Sequence, residues 1–267
     1  MATVVMQDGT EYNVSVLLGD GDSNTKTRKS DKAGLGYMTV SLSLSPANES
    51  GYEVCGSRSP GCTKACLFTA GLGAFANVKK GRIAKTRLFF QNREEFKRML
   101  FAELDKWNKK AKKKGLTLAC RLNVLSDIMW EKMFPDLFTT FGDVQFYDYT
   151  KHYKRAVAYC ADKEGIFGSG NFPPNYHLTF SRSETNDNDV LSLIMLNGAI
   201  NIAVVFDSKE LPEQWRSRKV VNGDETDLRF LDEQSTIIGL YAKGRARKDE
   251  SGFVVNTRRV PLEMAVV

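Results

Sequence analysis

The residues best suited to chemistry lie close together, in the segment 55–73, CGSRSPGCTKACLFTAGLG. It holds three of the five cysteines, Cys55, Cys62 and Cys66. Pro60 is typical of the first position of a helix, and a spacing of four residues would then place Cys62 and Cys66 on one helical face. The loop 56–61 contains two glycines and a proline, so it can fold back and bring Cys55 to that face. The sequence therefore predicts a pocket of three thiolates.

Thiolates select iron–sulfur clusters or zinc, and both usually take four protein ligands. Three ligands from one segment leave a coordination position open. Two other interpretations remain: buried cysteines can act as small apolar residues, and a disulfide could pair two thiols and leave the third. Because the loop is rich in glycine, proline and serine, we expect metal ligation by Cys55, Cys62 and Cys66. Cys120 and Cys160 lie in a predicted strand and helix, and we expect them not to bind metal.

Length and composition are those of an ordinary globular protein. The chain has 267 residues, of which 42% are hydrophobic and 26% charged, and we expect one α/β domain over 1–267. The start MATVVMQDG is not a secretory signal and no window is long and apolar enough to cross a bilayer, so we expect a cytoplasmic protein without membrane contact. The net charge of +6 is spread over several clusters, which permits contact with nucleic acid. Nothing in the sequence indicates an oligomeric state.

Hydrophobic patterns predict alternating strands and helices. An N-terminal hairpin over 1–18 turns at Asp8 and Gly9, and the cysteine-bearing segment 54–75 leads into a body over 76–243 and a small C-terminal hairpin over 244–267. Helices are predicted at 77–90, from Asn92 onward, at 130–141, 153–163 and 188–196. Strands are predicted at 37–45, 116–123, 144–149, 175–181, 200–206 and 236–242. Successive β/α units imply parallel strands with right-handed crossovers, so the fold class is α/β, a partial or closed parallel β/α barrel.

Polar residues follow the predicted strands, at the ends where parallel β/α folds collect their chemistry. The cysteine loop follows the first of these strands, so it would open onto the same edge. The residues expected to act in catalysis are Asp127, Lys151, Ser181 and Glu184. Those expected to bind a cofactor or small ligand are Asn123, Ser181, Arg182 and Ser183. For Arg182 we expect a bidentate contact with a carboxylate of the ligand.

The remaining motifs mostly disfavour particular classes of functional site. His152 and His177 are the only histidines, which disfavours a histidine-rich zinc enzyme and a histidine-dependent hydrolase. The acidic segment 220–232 lacks the spacing of a calcium loop, and neither a Walker loop nor a GxGxxG turn is present. The basic segments 79–87 and 245–248 could contact phosphates.

Several motifs resemble a bacteriophage family, the gene-product-eighty-eight-like proteins. The resemblance is carried by SLSLSPANESGYEVC, SPGCTKACLFTAG, GRIAKTRLFF, RLNVLSDIMWE, VQFYDYTK, YHLTFSRSETN, VVNGDETDLRF and GLYAKGRAR, and covers nearly the whole chain from about residue 24. It implies a viral origin and expression in a bacterial cytoplasm, but it implies no activity.

The architecture is also similar to that of radical S-adenosylmethionine enzymes. In that superfamily three cysteines after the first barrel strand hold a [4Fe-4S] cluster, whose remaining iron binds the amino and carboxylate groups of S-adenosylmethionine. Its spacing is C-x3-C-x2-C, whereas this chain has C-x6-C-x3-C and no Gly-Gly-acidic motif after the second strand. The resemblance implies an iron–sulfur enzyme that binds a small molecule at the cluster. The alternative is a nucleic-acid-binding phage protein with a structural zinc or iron–sulfur site.

Overall fold

A ten-stranded, mostly parallel sheet organises the chain. The computed structural model describes residues 1–21, 28, 30, 31, 33–69, 71–164, 172–196 and 199–259. Its strands are β1 Ala2–Val5, β2 Glu11–Val14, β3 Leu18–Asp20, β4 Tyr37–Leu42, β5 Thr117–Arg121, β6 Gln145–Thr150, β7 Tyr176–Ser181, β8 Asn201–Phe206, β9 Gln214–Trp215, β10 Arg218–Asn222, β11 Ile237–Tyr241 and β12 Val254–Val255. The sheet order is β3-β4-β5-β6-β7-β8-β11-β10-β9, and β12 also pairs with β8.

The six predicted body strands are confirmed as parallel neighbours. They are β4, β5, β6, β7, β8 and β11, in that order across the sheet. Most positions of β4 and β8 are buried on both faces, as is typical of parallel strands covered by helices. Because all six run the same way, their carboxyl ends meet at one edge. The cysteine segment and the predicted polar residues therefore start from the same end of the sheet.

The sheet is open over the part of the chain that the structure describes. Its edge strands β3 and β9 are three and two residues long, run antiparallel to β4 and β10, and do not pair with each other. The closed barrel that the sequence allowed is therefore not observed. Short antiparallel strands end the parallel array on both sides instead of continuing it.

The helices agree closely with the predicted ones. They are α1 Pro60–Lys64, α2 Ala76–Gln91, α3 Arg93–Lys113, α4 Trp130–Met133, α5 Pro135–Thr140, α6 Tyr153–Glu164 and α7 Asp187–Met195. Asn92 caps α3, because its side chain accepts a hydrogen bond from the Glu95 backbone N–H at 3.1 Å. Pro135 begins α5 and separates it from α4, as expected of a residue without an N–H. None of the described helices is long and apolar enough to span a membrane.

The two terminal hairpins had different outcomes. β1 and β2 pair antiparallel around Gly9, whose φ of 80° suits the turn, so the N-terminal hairpin is confirmed. The C-terminal hairpin is wrong for 244–259, the part of it that is described: β12 there pairs in parallel with β8. The rest of that prediction, 260–267, lies outside the described residues.

Two packed regions fix the sheet in place. The main core contains an aromatic cluster in which Phe89 contacts Phe96, Trp130 and Phe134. A smaller cluster of Ala119, Tyr147 and Leu228 packs segment 227–231 against β5 and β6. Arg121 and Asp227 form a buried ion pair beside it, with N–O distances of 3.0 and 3.1 Å. Segment 227–231 is therefore anchored to β5 and β6 by apolar packing and by this ion pair.

Candidate functional site

The cysteine-bearing segment 54–75, called the thiol segment below, contains the short helix α1, whose N-terminus is capped. Ser59 is the N-cap of α1 and its Oγ accepts a hydrogen bond from the Cys62 backbone N–H at 3.1 Å, while Pro60 takes the first helical position as predicted. The helix ends at Lys64, so Cys66 lies just beyond it, its N–H directed at the Thr63 carbonyl at 3.4 Å. The expectation that one helix carries both thiols is therefore corrected, since only Cys62 is helical.

Glu184 holds this helix against the loop that follows β7. Its carboxylate accepts hydrogen bonds from Ser59 Oγ at 2.7 Å and from the Gly61 N–H at 2.6 Å. A Cβ at Gly61 would lie 2.7 Å from Glu184 Oε2 and 2.2 Å from Ser251 Oγ, so only glycine fits without displacing both side chains. Both carboxylate oxygens of Glu184, which we expected to act in catalysis, therefore accept hydrogen bonds from the thiol segment.

The loop after β5 holds Cys55. The thiol donates a hydrogen bond to the Leu125 carbonyl at 3.3 Å, and the Asp127 N–H donates to the Val54 carbonyl at 2.8 Å. Burial is the main cause that raises the pKa of the Cys55 thiol to about 12, and the negative charges of Cys66 and Cys62 contribute to the rise. The three thiols therefore influence one another electrostatically.

Two cations lie near Cys66. Burial raises the pKa of the Cys66 thiol, whereas the charges of Lys151 and Arg82 lower it. Lys151 Nζ donates to Ser181 Oγ at 2.7 Å, which places the lysine at the carboxyl ends of β6 and β7. Arg82, on α2, donates to the Phe68 carbonyl at 3.4 Å and to the Gly73 carbonyl at 2.5 Å. The surroundings of Cys66 therefore combine partial burial with positive charge.

Cys62 contacts the C-terminal part of the chain. It packs against a cluster of Ala65, Ala242, Ala246 and Phe253. The thiol segment is thus held on one side by Glu184 and on another by the segment that carries β12.

None of the five cysteines, all of them in described parts of the chain, forms a disulfide, and they divide by burial. Cys55, Cys62 and Cys66 are partly exposed, whereas Cys120 and Cys160 are buried in the main core. Over the described part of the chain, no three or more histidine, cysteine, aspartate or glutamate side chains are arranged to hold a metal ion. Metal ligation by the three partly exposed cysteines stays a prediction.

Asn123 occupies a structural position, although the sequence predicted ligand contact. The residue is buried, and its Oδ1 accepts hydrogen bonds from Ser126 Oγ at 2.8 Å, the Ile128 N–H at 3.0 Å and Trp130 Nε1 at 3.1 Å. Its amide donates to the Ile128 carbonyl and to Asp148. Burial raises the pKa of the Asp148 carboxyl to about 7, against the opposite effect of hydrogen bonding. The hydrogen bonds of Asn123 therefore shape the loop after β5, which holds Cys55.

Asp127 positions Lys151. One carboxylate oxygen accepts the Lys151 backbone N–H at 2.7 Å, and the other lies 3.3 Å from Arg155 Nη1. Arg155 in turn makes a bidentate pair with Glu131, at 2.9 and 2.7 Å. Asp127 is therefore tied into a buried network and sets the start of the loop after β6.

Arg182 and Ser183 are also used within the fold. Arg182 makes a bidentate pair with Asp187 at 2.9 and 3.1 Å, and donates to the carbonyls of Gly252 and Phe253. The ligand carboxylate that we expected at this guanidinium is thus replaced by a carboxylate of the chain itself. Ser183 is buried, and its N–H donates to the side chain of Asn186 at 2.6 Å.

Arg82 is the site residue that the sequence analysis missed. It was grouped with the basic segment 79–87, yet it is only 6% exposed. The available signal was helical spacing, because Thr86 and Phe89, four and seven residues later, are buried on the same face. The contact of segment 251–253 with the thiol segment had no local signal, since the two are almost 200 residues apart in sequence.

The other four cations of segment 79–87 have partners within the chain, although Lys80 is exposed and lies 5.7 Å from the centre of the Tyr12 ring. Lys79 pairs with Glu49 at 2.5 Å, Lys85 donates to the Leu17 carbonyl at 2.7 Å, and Arg87 donates to the carbonyls of Val5 and Ser50. A groove of about 590 Å³ borders Cys55 and is lined by Glu53, Arg58, Ser59, Thr63 and Lys64 among others.

The chain matches a known protein family. Residues 16–257 match the family model described as Gene product 88. No curated protein and no solved structure matches the chain.

Proposed function

The chain belongs to the Gene product 88 family, and we propose that it is a phage-encoded iron–sulfur protein whose [4Fe-4S] cluster is held by Cys55, Cys62 and Cys66. On this proposal the protein is a radical S-adenosylmethionine-like enzyme, with a small molecule bound at the open iron. The supporting observation is that the segment with the three partly exposed cysteines follows β4, at the carboxyl end of the six parallel strands, where the charges of Cys62 and Cys66 act on the Cys55 thiol.

The donor set suits a cluster in composition and charge. Three thiolates with an oxidised cuboidal core form an anionic group. Arg82 and Lys151 both act on Cys66 and would offset that charge. Because burial raises the pKa of Cys55 and Cys66, loading must displace thiol protons and should be favoured at higher pH.

Each neighbouring side chain has a defined part in this proposal. When bound, the cluster would supply a Lewis-acidic iron and one-electron chemistry. Glu184 and Ser59 hold the helix that carries Cys62, and the loop after β5 holds Cys55. The charge of Lys151 acts on Cys66, so Lys151 and its hydrogen-bond partner Ser181 would offer polar groups to a ligand at the open position. The chain's own residues thus position the metal ligands and offer hydrogen-bond donors next to them.

The alternative, nucleic-acid binding with a structural zinc or iron–sulfur site, has less support. It relied on the basic segments 79–87 and 245–248. In the first, Lys79, Lys85 and Arg87 contact groups of the chain itself, whereas Arg245 and Lys248 in the second are exposed. We therefore favour a small-molecule site.

The test is anaerobic reconstitution with iron and sulfide, followed by absorption near about 400 nm and metal analysis. We expect a brown wild-type protein that contains iron, and loss of iron in Cys55→Ala, Cys62→Ala and Cys66→Ala. Cys120→Ala and Cys160→Ala are matched controls that should keep it. Zinc in place of iron under anaerobic conditions, or loss of iron in either control, contradicts the proposal.

A further inference from the structure

Lys151 differs from the other cations at the strand ends. Its ammonium donates to Ser181 Oγ at 2.7 Å and lies 5.8 Å from the centre of the Phe253 ring. Among the described residues it has no carboxylate partner. Four other cations near the strand ends each have one: the pairs are Arg121 with Asp227, Arg155 with Glu131, Arg182 with Asp187, and Lys243 with Asp224.

The Lys151 ammonium and the Ser181 hydroxyl can make further hydrogen bonds as donors. An ammonium carries three N–H donors, and Ser181 accepts one of them. The Ser181 hydroxyl accepts this hydrogen bond and keeps its own hydrogen to donate. Lys151 is partly buried, and a positive charge that is partly removed from water is stabilised by an anion beside it. The backbone hydrogen bond from Lys151 to Asp127, at 2.7 Å, fixes where the side chain starts.

We propose that Lys151 and Ser181 form an anion-binding subsite next to Cys66, which takes the carboxylate or phosphate group of a small molecule. The inference rests on the proposed function only in that the bound molecule would extend toward the cluster. The subsite itself is built from residues already in place without metal. Arg82, also near Cys66, donates to backbone carbonyls of the thiol segment, so the two cations have different parts.

The test uses the full metal-free chain under reducing conditions, titrated by calorimetry at low salt with inorganic phosphate and, separately, with succinate. We expect saturable binding of one or both anions. Lys151→Met keeps the side-chain length and removes the charge, and it should weaken binding by about tenfold to a hundredfold, as expected for loss of a hydrogen bond from a charged donor. Ser181→Ala should weaken binding less. The control Lys219→Met removes an exposed lysine paired with Glu233 and should bind as wild type does.

Three results would overturn the proposal: no binding of either anion to the wild-type chain, equal affinity in wild type and Lys151→Met, or an equal loss in Lys219→Met. Thermal unfolding of each variant checks that it is folded, and Ser181→Ala tests the subsite if Lys151→Met is not. Iron content after reconstitution is measured separately. An anion site without iron would leave the subsite intact and reject the cluster, and iron without an anion site would do the reverse.

Discussion

Glu184→Ala should loosen the thiol-bearing helix without unfolding the sheet. The carboxylate accepts hydrogen bonds from Ser59 Oγ and the Gly61 N–H, at 2.7 and 2.6 Å. Hydrogen bonds to a charged group contribute about 1.5–3 kcal/mol each. Because Glu184 is partly exposed and water can replace part of these contacts, we take about 2 kcal/mol for the pair. A local loss of about 2 kcal/mol corresponds to about a thirtyfold increase in opening of α1.

The assay is amide hydrogen exchange of the metal-free protein, followed by mass spectrometry on a peptide covering 60–66. The Thr63 and Ala65 amides, bonded to the Ser59 and Gly61 carbonyls, report opening of α1. Exchange there should accelerate about thirtyfold in Glu184→Ala and less in Glu184→Gln, which keeps an acceptor. Peptides from β6 should be unchanged. The control Glu233→Ala, which removes the exposed partner of Lys219, should match wild type throughout. An exchange rate at 60–66 in Glu184→Ala equal to that of wild type would refute the conclusion that Glu184 holds α1 in place.

Two further predictions concern stability. The pKa of Cys55 in the folded chain is raised from 9.0 to about 12, so its neutral form stabilises the metal-free fold below pH 9, and that stability is lost as pH rises toward 12. The urea midpoint should therefore decline between about pH 8.5 and 10.5, and Cys55→Ala should make this decline less steep. An unchanged slope in Cys55→Ala would contradict this prediction. Asn123→Ala leaves buried Trp130 Nε1 and the Ile128 N–H without their acceptor, so the free energy of unfolding should fall by about 3 kcal/mol or more in urea denaturation, and a change below about 1 kcal/mol would contradict a structural role.

Local patterns in the sequence were enough to predict the parallel sheet. Buried runs such as β8 and the helical spacing in α3 reflect short-range geometry, and the β/α alternation fixes strand direction. The same direction places Cys55, Lys151 and Ser181 at one edge, and the structure agrees. The alternation of strands and helices could not decide whether the sheet closes into a barrel, because closure depends on the short antiparallel edge strands β3 and β9.

The roles of individual polar residues were harder to predict. Asn123, Glu184 and Arg182 follow strand ends, which is also where ligand-binding residues lie. Whether such a side chain faces a ligand or the fold depends on partners far away in sequence: Glu184 contacts Ser59 and Gly61, and Arg182 contacts the carbonyls of residues 252 and 253. No local pattern encodes these contacts, so a strand-end position alone could not separate Lys151 from its paired neighbours.

The measurement that tests the central claim most directly is the Mössbauer spectrum of the protein reconstituted anaerobically with ⁵⁷Fe. Three thiolate ligands on a [4Fe-4S] cluster leave one iron with a different ligand. The account predicts about four irons per chain, one of which changes its signal when a small carboxylate or S-adenosylmethionine is added, and no such cluster when Cys55, Cys62 and Cys66 are all replaced by alanine. A single mononuclear iron, four irons that no added ligand affects, or a cluster that survives the triple substitution would contradict it.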